Sequence, residues 1–167
     1  MTRSNDPGDD RTAEWEALRQ RHLRARTDRP DSAARGVHHV ALLSTDVERT
    51  IRFYQETLEF PLTELFENRD YPSSTHFFFD IGGGNALAFF DFPGLDLEPY
   101  AEVLGGLHHL AISVPRAAWE RIHARLDAQV VQTTVIDESS MYLRGPDGER
   151  IELISDELGE MYGNVLG

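Results

Sequence analysis

The chain has 167 residues, enough for one domain or two fused half-size modules, and its 40% apolar content supports a buried core. Cysteine is absent, which excludes disulfides, thiolate zinc sites, iron–sulfur clusters and a cysteine nucleophile, so any metal must be held by His, Asp, Glu or backbone oxygen. A formal net charge of −13 without a basic stripe argues against nucleic acid as a partner, and the absence of lysine removes Schiff-base and P-loop chemistry.

Met1 to Asp10 is polar and acidic and does not suit a signal peptide. No apolar run reaches the roughly 18 residues of a membrane span, so no membrane partner and a cytoplasmic location are expected. Residues 1–35 hold eight of the sixteen arginines and seven acidic residues, so nearly all the negative charge belongs to the body from Gly36 onward. Thr12 to Arg26 predicts a helix with Trp15, Leu18 and His22 along one stripe. Asp28 to Arg35, with Pro30, reads as a linker, which makes residues 1–35 an arm.

The body, residues 36–167, contains an internal repeat. Gly36-Val-His-His-Val-Ala-Leu-Leu-Ser-Thr aligns with Gly106-Leu-His-His-Leu-Ala-Ile-Ser-Val-Pro at an offset of 70 residues. Each copy opens as a strand and runs into an amphipathic helix. In the first, Thr45 or Asp46 is the N-cap, and Val47, Ile51, Tyr54 and Leu58 follow helical spacing. In the second, Pro115 suits the first turn, and Trp119, Ile122 and Leu126 form the buried stripe.

Three strand-like segments follow each helix. They are Leu62 to Asn68, Thr75 to Ile81 and Ala86 to Phe92 in module one (about 36–98). In module two (about 105–158) they are Val130 to Ile136, Ser140 to Arg144 and Arg150 to Ser155. Gly82-Gly83-Gly84-Asn85 and Pro146-Asp147-Gly148 supply equivalent turns. The fold class expected is α+β: two βαβββ modules forming one curved mixed sheet, a cup with its helices outside.

Strand alternation places Val37, His39, Ala41 and Leu43 on one face and His38, Val40 and Leu42 on the other. His109, Ala111 and Ser113 share the matching face of the second copy. The more apolar faces pack on the helices, which turns His39 and His109 into the cup. Glu152 sits between bulky apolar neighbours, where a carboxylate is costly unless it is salt-bridged, to Arg144 or Arg150, or binds a metal. Two imidazoles and one carboxylate make a three-ligand set with open positions, suited to Fe(II) and acceptable to Mn(II) or Zn(II).

The run His39-Val-Ala-Leu-Leu-Ser-Thr-Asp-Val-Glu-Arg-Thr-Ile-Arg-Phe-Tyr54, continued by Leu58-Glu-Phe60, resembles the opening of a glyoxalase, bleomycin-resistance and dioxygenase module. Tyr142-Leu-Arg-Gly-Pro-Asp-Gly-Glu-Arg-Ile-Glu152-Leu resembles its closing hairpin. The resemblance, to the vicinal oxygen chelate superfamily, covers about Gly36 to Ser155. It implies a divalent metal that chelates a small substrate through neighbouring oxygens, and paired modules that associate further into a homodimer.

Members similar to glyoxalase use four ligands. Ala88 stands where the fourth would be, which leaves the pattern of the extradiol ring-cleaving dioxygenases and the fosfomycin-modifying enzymes. In the former, a tyrosine at the position of Tyr142 hydrogen-bonds the substrate. The same offset from Ala88 falls on Phe78, whose face includes His76, a candidate acid or base.

The acid–base histidine that such dioxygenases carry about fourteen residues before the second ligand is missing from Phe92 to Asp96. Phe78, Ala88, Phe90 and Phe92 line a wall suited to a flat aromatic substrate. Met161 to Gly163 could cover the mouth. The expected activity is an Fe(II) extradiol-type dioxygenase acting on a catechol-like substrate. The alternatives are a Mn(II)-, Ni(II)- or Zn(II)-dependent lyase, isomerase or thiol transferase, or a non-catalytic small-molecule binder.

Overall fold

The structure is a computed structural model that describes residues 10–161 and 164–165. Tyr162 and Gly163, expected near the mouth, lie outside the described residues. The chain divides at Gly36 into two compact units.

In the first unit, helix α1 (Thr12–His22) starts beside the Arg11–Glu14 pair and buries none of its residues. Trp15 and Leu18 both stay exposed, so the predicted stripe has no apolar cover within the unit. A 3₁₀ turn at Arg26–Asp28 follows.

The second unit holds both modules. The first runs β1 (His39–Leu43), α2 (Val47–Ile51), β2 (Leu62–Glu67), β3 (Thr75–Asp80) and β4 (Ala86–Phe90). The second runs β5 (Leu110–Ser113), α3 (Arg116–Ala128), β6 (Thr133–Val135), β7 (Ser140–Arg144) and β8 (Arg150–Ile154). Each module forms its own four-stranded mixed sheet, ordered β1-β4-β3-β2 and β5-β8-β7-β6, with a parallel pair where the first strand meets the last. A short antiparallel pair, β9 (Glu160–Met161) with β10 (Asn164–Val165), was not foreseen. Among the described residues no helix is long and apolar enough to cross a membrane.

Asp46 caps α2 by accepting from the Arg49 N–H at 3.0 Å. The predicted regular helix to Leu58 is realised only in part. Beyond Ile51 the chain widens into a π-helical segment, Arg52–Thr57, closed by Leu58 N–H to Phe53 O at 3.1 Å. The wider turn buries Tyr54, Thr57 and Leu58 together. In α3 the predicted stripe is buried: Trp119, Ile122 and Leu126.

One core serves both modules. It joins Phe77, Phe79, Leu87 and Phe89 of the first sheet to Met141, Leu143, Ile151 and Leu153 of the second, through Tyr54, Leu58, Ile122 and Leu126. Polar contacts pin the same junction. Glu59 takes Arg121 and Arg125, each at 2.8 Å. Asp147 takes Arg49 at 2.7 Å and also the Thr45 side chain. Each sheet therefore gives its helix-side face to the core and keeps its other face open.

The turns need their glycines. Gly83 and Gly148 have φ of +61° and +86°, the left-handed region that side chains disfavour.

Candidate functional site

The open face of the second sheet carries a compact polar cluster. His109 Nε2 lies 3.0 Å from Glu152 Oε2, and Ser140 donates its hydroxyl to Glu152 Oε1 at 2.5 Å. Glu152 is only 6% exposed. Its partners are thus an imidazole and a hydroxyl rather than an arginine. Arg150 pairs instead with Glu102 at 3.2 Å, and Arg144 donates to the Gly148 carbonyl.

Tyr142 sits directly opposite Glu152 on the adjacent strand, with its ring 5.4 Å from that of His109 and the Arg150 guanidinium 4.5 Å above it. A cleft of about 210 Å³ opens beside Ser140, Tyr142, Glu152 and Met161. A larger one, about 520 Å³, lies at the module junction between Leu43, Tyr100 and Asp147 and touches none of the three candidate metal donors.

The open face of the first sheet is aromatic. His76 is stacked on Phe90 at 3.8 Å between ring centres and also meets Phe78 and Phe66. Its Nε2 is buried with no hydrogen-bond partner among the described residues. Burial, and then the charge of His39, lower its pKa, so its neutral form is favoured. Phe92 stacks on Phe90 and meets Tyr71. His39 is exposed beside Phe78, at 6.3 Å between ring centres.

The two faces share one plan. Ala41 pairs with Ala88 in the first sheet, and Ala111 pairs with Glu152 in the second. Across the next strand, Ala88 faces Phe78 as Glu152 faces Tyr142. The second module thus has an acid where the first has a methyl group, and a phenol where the first has a phenyl ring.

The histidine pairs repeat as well: Nδ1 to Nδ1 is 2.9 Å for His38 and His39, and 2.6 Å for His108 and His109. Each contact requires one proton between the nitrogens and fixes the second ring of the pair. Sequence alternation alone put His38 and His108 on the far face and missed this role. The doubled His-His in both repeats was the available signal.

The structure therefore brings together His109, Glu152, Tyr142 and Ser140, and separately His39, His76 and Phe78. It does not gather His39 with His109 and Glu152: among the described residues, no group of three or more His, Asp or Glu could hold a metal ion. His109 Nε2 and Glu152 Oε2 lie 3.0 Å apart, so among the described residues one chain brings two candidate donors together there, short of the three or four that hold a catalytic ion.

Comparison with known proteins bears on the family and the fold. Residues 36–153 match the family model described as Glyoxalase/Bleomycin resistance protein/Dioxygenase superfamily. The chain is 27% identical over 138 residues to the Bacillus subtilis protein named "Putative ring-cleaving dioxygenase MhqA", covering 77% of this chain and 42% of that one. It thus spans less than half the length of this curated relative. A solved structure of a putative dioxygenase from Bacillus subtilis aligns with TM-score 0.64 and 25% identity over 75% of this chain and 42% of its own. The fosfomycin resistance protein FosX from Listeria monocytogenes, solved as a mutant with Mn(II) and a dihydroxypropylphosphonic acid, aligns with TM-score 0.55 and 19% identity over 75% of this chain and 95% of its own.

Proposed function

The chain belongs to the glyoxalase/bleomycin resistance protein/dioxygenase superfamily, and on that footing we propose that it is a metal-dependent enzyme whose ion is held by His39, His109 and Glu152. One observation carries the reading. Glu152 is buried between Ile151 and Leu153, touches an imidazole nitrogen and a hydroxyl, and stands where the repeat has Ala88. A lone carboxylate so placed is costly unless a cation or a paired proton compensates it.

The reaction proposed is extradiol-type ring cleavage of a catechol-like substrate, with Fe(II) as the ion. Mn(II), Zn(II) or Ni(II) would serve the lyase, isomerase or thiol-transferase alternative. The kinship with MhqA and the run of aromatic side chains around His76 favour a planar substrate. When bound, the ion supplies positive charge that favours the deprotonated form of two neighbouring substrate oxygens.

The chain's own groups do the rest. Tyr142, beside His109, offers a hydroxyl to a substrate oxygen. His76, kept neutral by burial, is a proton acceptor at Nε2. Phe78 and Phe90 form an apolar wall that excludes water. The test is oxygen uptake with a panel of catechols after anaerobic Fe(II) reconstitution. Uptake with at least one catechol is expected. Iron-loaded protein that consumes no oxygen would rule out ring cleavage and leave the Lewis-acid alternative.

A further inference from the structure

The two strands that carry Tyr142 and Glu152 also carry a conflict of charge. β7 and β8 are antiparallel, and Arg144 stands directly opposite Arg150. Like charges paired across strands weaken a sheet. The chain has 29 acidic residues against 16 arginines, so the doubled positive charge is not a matter of composition. Strand alternation puts both arginines on the face of Tyr142 and Glu152. Arg150 is compensated by Glu102 at 3.2 Å. Arg144 has no carboxylate partner among the described residues; it donates to the Gly148 carbonyl and lies 5.5 Å from the centre of the Tyr100 ring. Both arginines line one cleft of about 480 Å³, with Gln132, Thr134, Ile136 and Tyr142. Ile136 and Tyr142 also line the cleft beside Glu152, so the two clefts adjoin.

We propose that Arg144 and Arg150 bind a carboxylate carried by the substrate, at the end of its ring away from the two neighbouring oxygens. An anion between the guanidinium groups relieves their repulsion and gives Arg144 the counter-charge it lacks. The planar fork of each guanidinium matches a carboxylate. The spacing agrees. Two residues along a strand advance about 7 Å, so the arginine row lies about one substituted ring away from the row of Tyr142 and Glu152. Arg150 already lies 4.5 Å over the Tyr142 ring, which places the anion beside the phenol that meets the substrate. Glu102 has taken one of the two positive charges, so the cleft suits a monoanion. The substrate class is therefore an aromatic carboxylate or arylacetate with two adjacent hydroxyls.

The inference rests on the reading above for the position of the ring, and its test has one arm with metal and one without. Mn(II)-loaded protein is titrated anaerobically with 3,4-dihydroxyphenylacetate and with its methyl ester, by calorimetry. Metal-stripped protein is titrated with phenylacetate and with methyl phenylacetate, by NMR. In both arms the acid should bind about 10-fold or more tightly than the ester, as charge-assisted hydrogen bonds give. In Arg144→Gln and in Arg150→Gln that ratio should fall to about one. A wild-type protein that does not prefer the acid in the metal-stripped arm overturns the proposal, and a preference confined to the Mn(II) arm does so by assigning the carboxylate to the ion. A preference that persists in both variants overturns it too. A preference in the metal-stripped arm, lost in the variants, while the wild type binds no Mn(II), upholds the arginine pair and rejects the metal reading instead.

Discussion

The Tyr54 hydroxyl donates to the Glu149 carboxylate at 2.7 Å across the junction of the two modules, and both groups are buried. Tyr54 comes from the π-helical segment of the first module, and Glu149 from the turn that leads into β8, three residues before Glu152. The bond ties one module's helix to the strand that carries the candidate ligand. Tyr54→Phe removes the donor and leaves Glu149 Oε1 without it. A loss of about 1–3 kcal/mol in urea unfolding is expected, the usual range for a buried acceptor deprived of its partner.

Stability should also depend on pH through Glu149. Burial pushes its pKa above the ordinary glutamate value of 4.5, and the nearby Asp147 charge adds to the effect, while hydrogen bonds from Tyr54 and the backbone oppose it. A carboxyl that holds its proton more tightly when folded stabilises the fold below the unfolded pKa, and that contribution is lost as pH rises through the folded pKa. From pH 4.5 upward, wild-type stability should therefore fall relative to Glu149→Gln. Chemical denaturation of both proteins across that window is the check, and parallel curves would refute the assignment.

Gly145 is closed to any side chain, because a Cβ there would overlap the Glu149 carboxyl, which Tyr54 and the Asp147 N–H hold in place. Gly145→Ala should cost about 1–3 kcal/mol, as overpacking does elsewhere. Part of that cost should vanish in a Glu149→Ala background, which a double-mutant cycle would read out directly.

Ser140 should act on the metal through Glu152. Its hydroxyl fixes one carboxylate oxygen, leaving the other toward His109. Ser140→Ala should weaken Mn(II) binding by about 10–100-fold, the usual effect of removing a partner that orients a ligand. His76→Phe should keep the stack on Phe90 and keep metal affinity, yet lower turnover by about 10²-fold or more if His76 moves a proton.

Much of this was legible in the sequence because periodicity reports local geometry. The repeated Gly-x-His-His opening and the Trp119, Ile122, Leu126 spacing define both modules, and alternation places His109 and Glu152 on one face. Other features depend on packing that no local pattern encodes. The π-helical widening answers the need to bury Tyr54 and Leu58 together. The burial of Glu149 follows from a helix belonging to the other module. β9 and β10, two residues each, are too short to carry a period. The grouping of donors is the sharpest case. An internal repeat implies that two like faces can close on each other, but not whether they do so within one chain or between copies.

The central claim is that His39, His109 and Glu152 hold one ion. Equilibrium dialysis of metal-stripped protein against Mn(II), with metal content read by mass spectrometry, tests it most directly. The account predicts about one tightly bound ion per chain in the wild type and loss of that site in each of His39→Ala, His109→Ala and Glu152→Gln, with the fold retained by circular dichroism. Full binding by the His39→Ala or Glu152→Gln protein would contradict it.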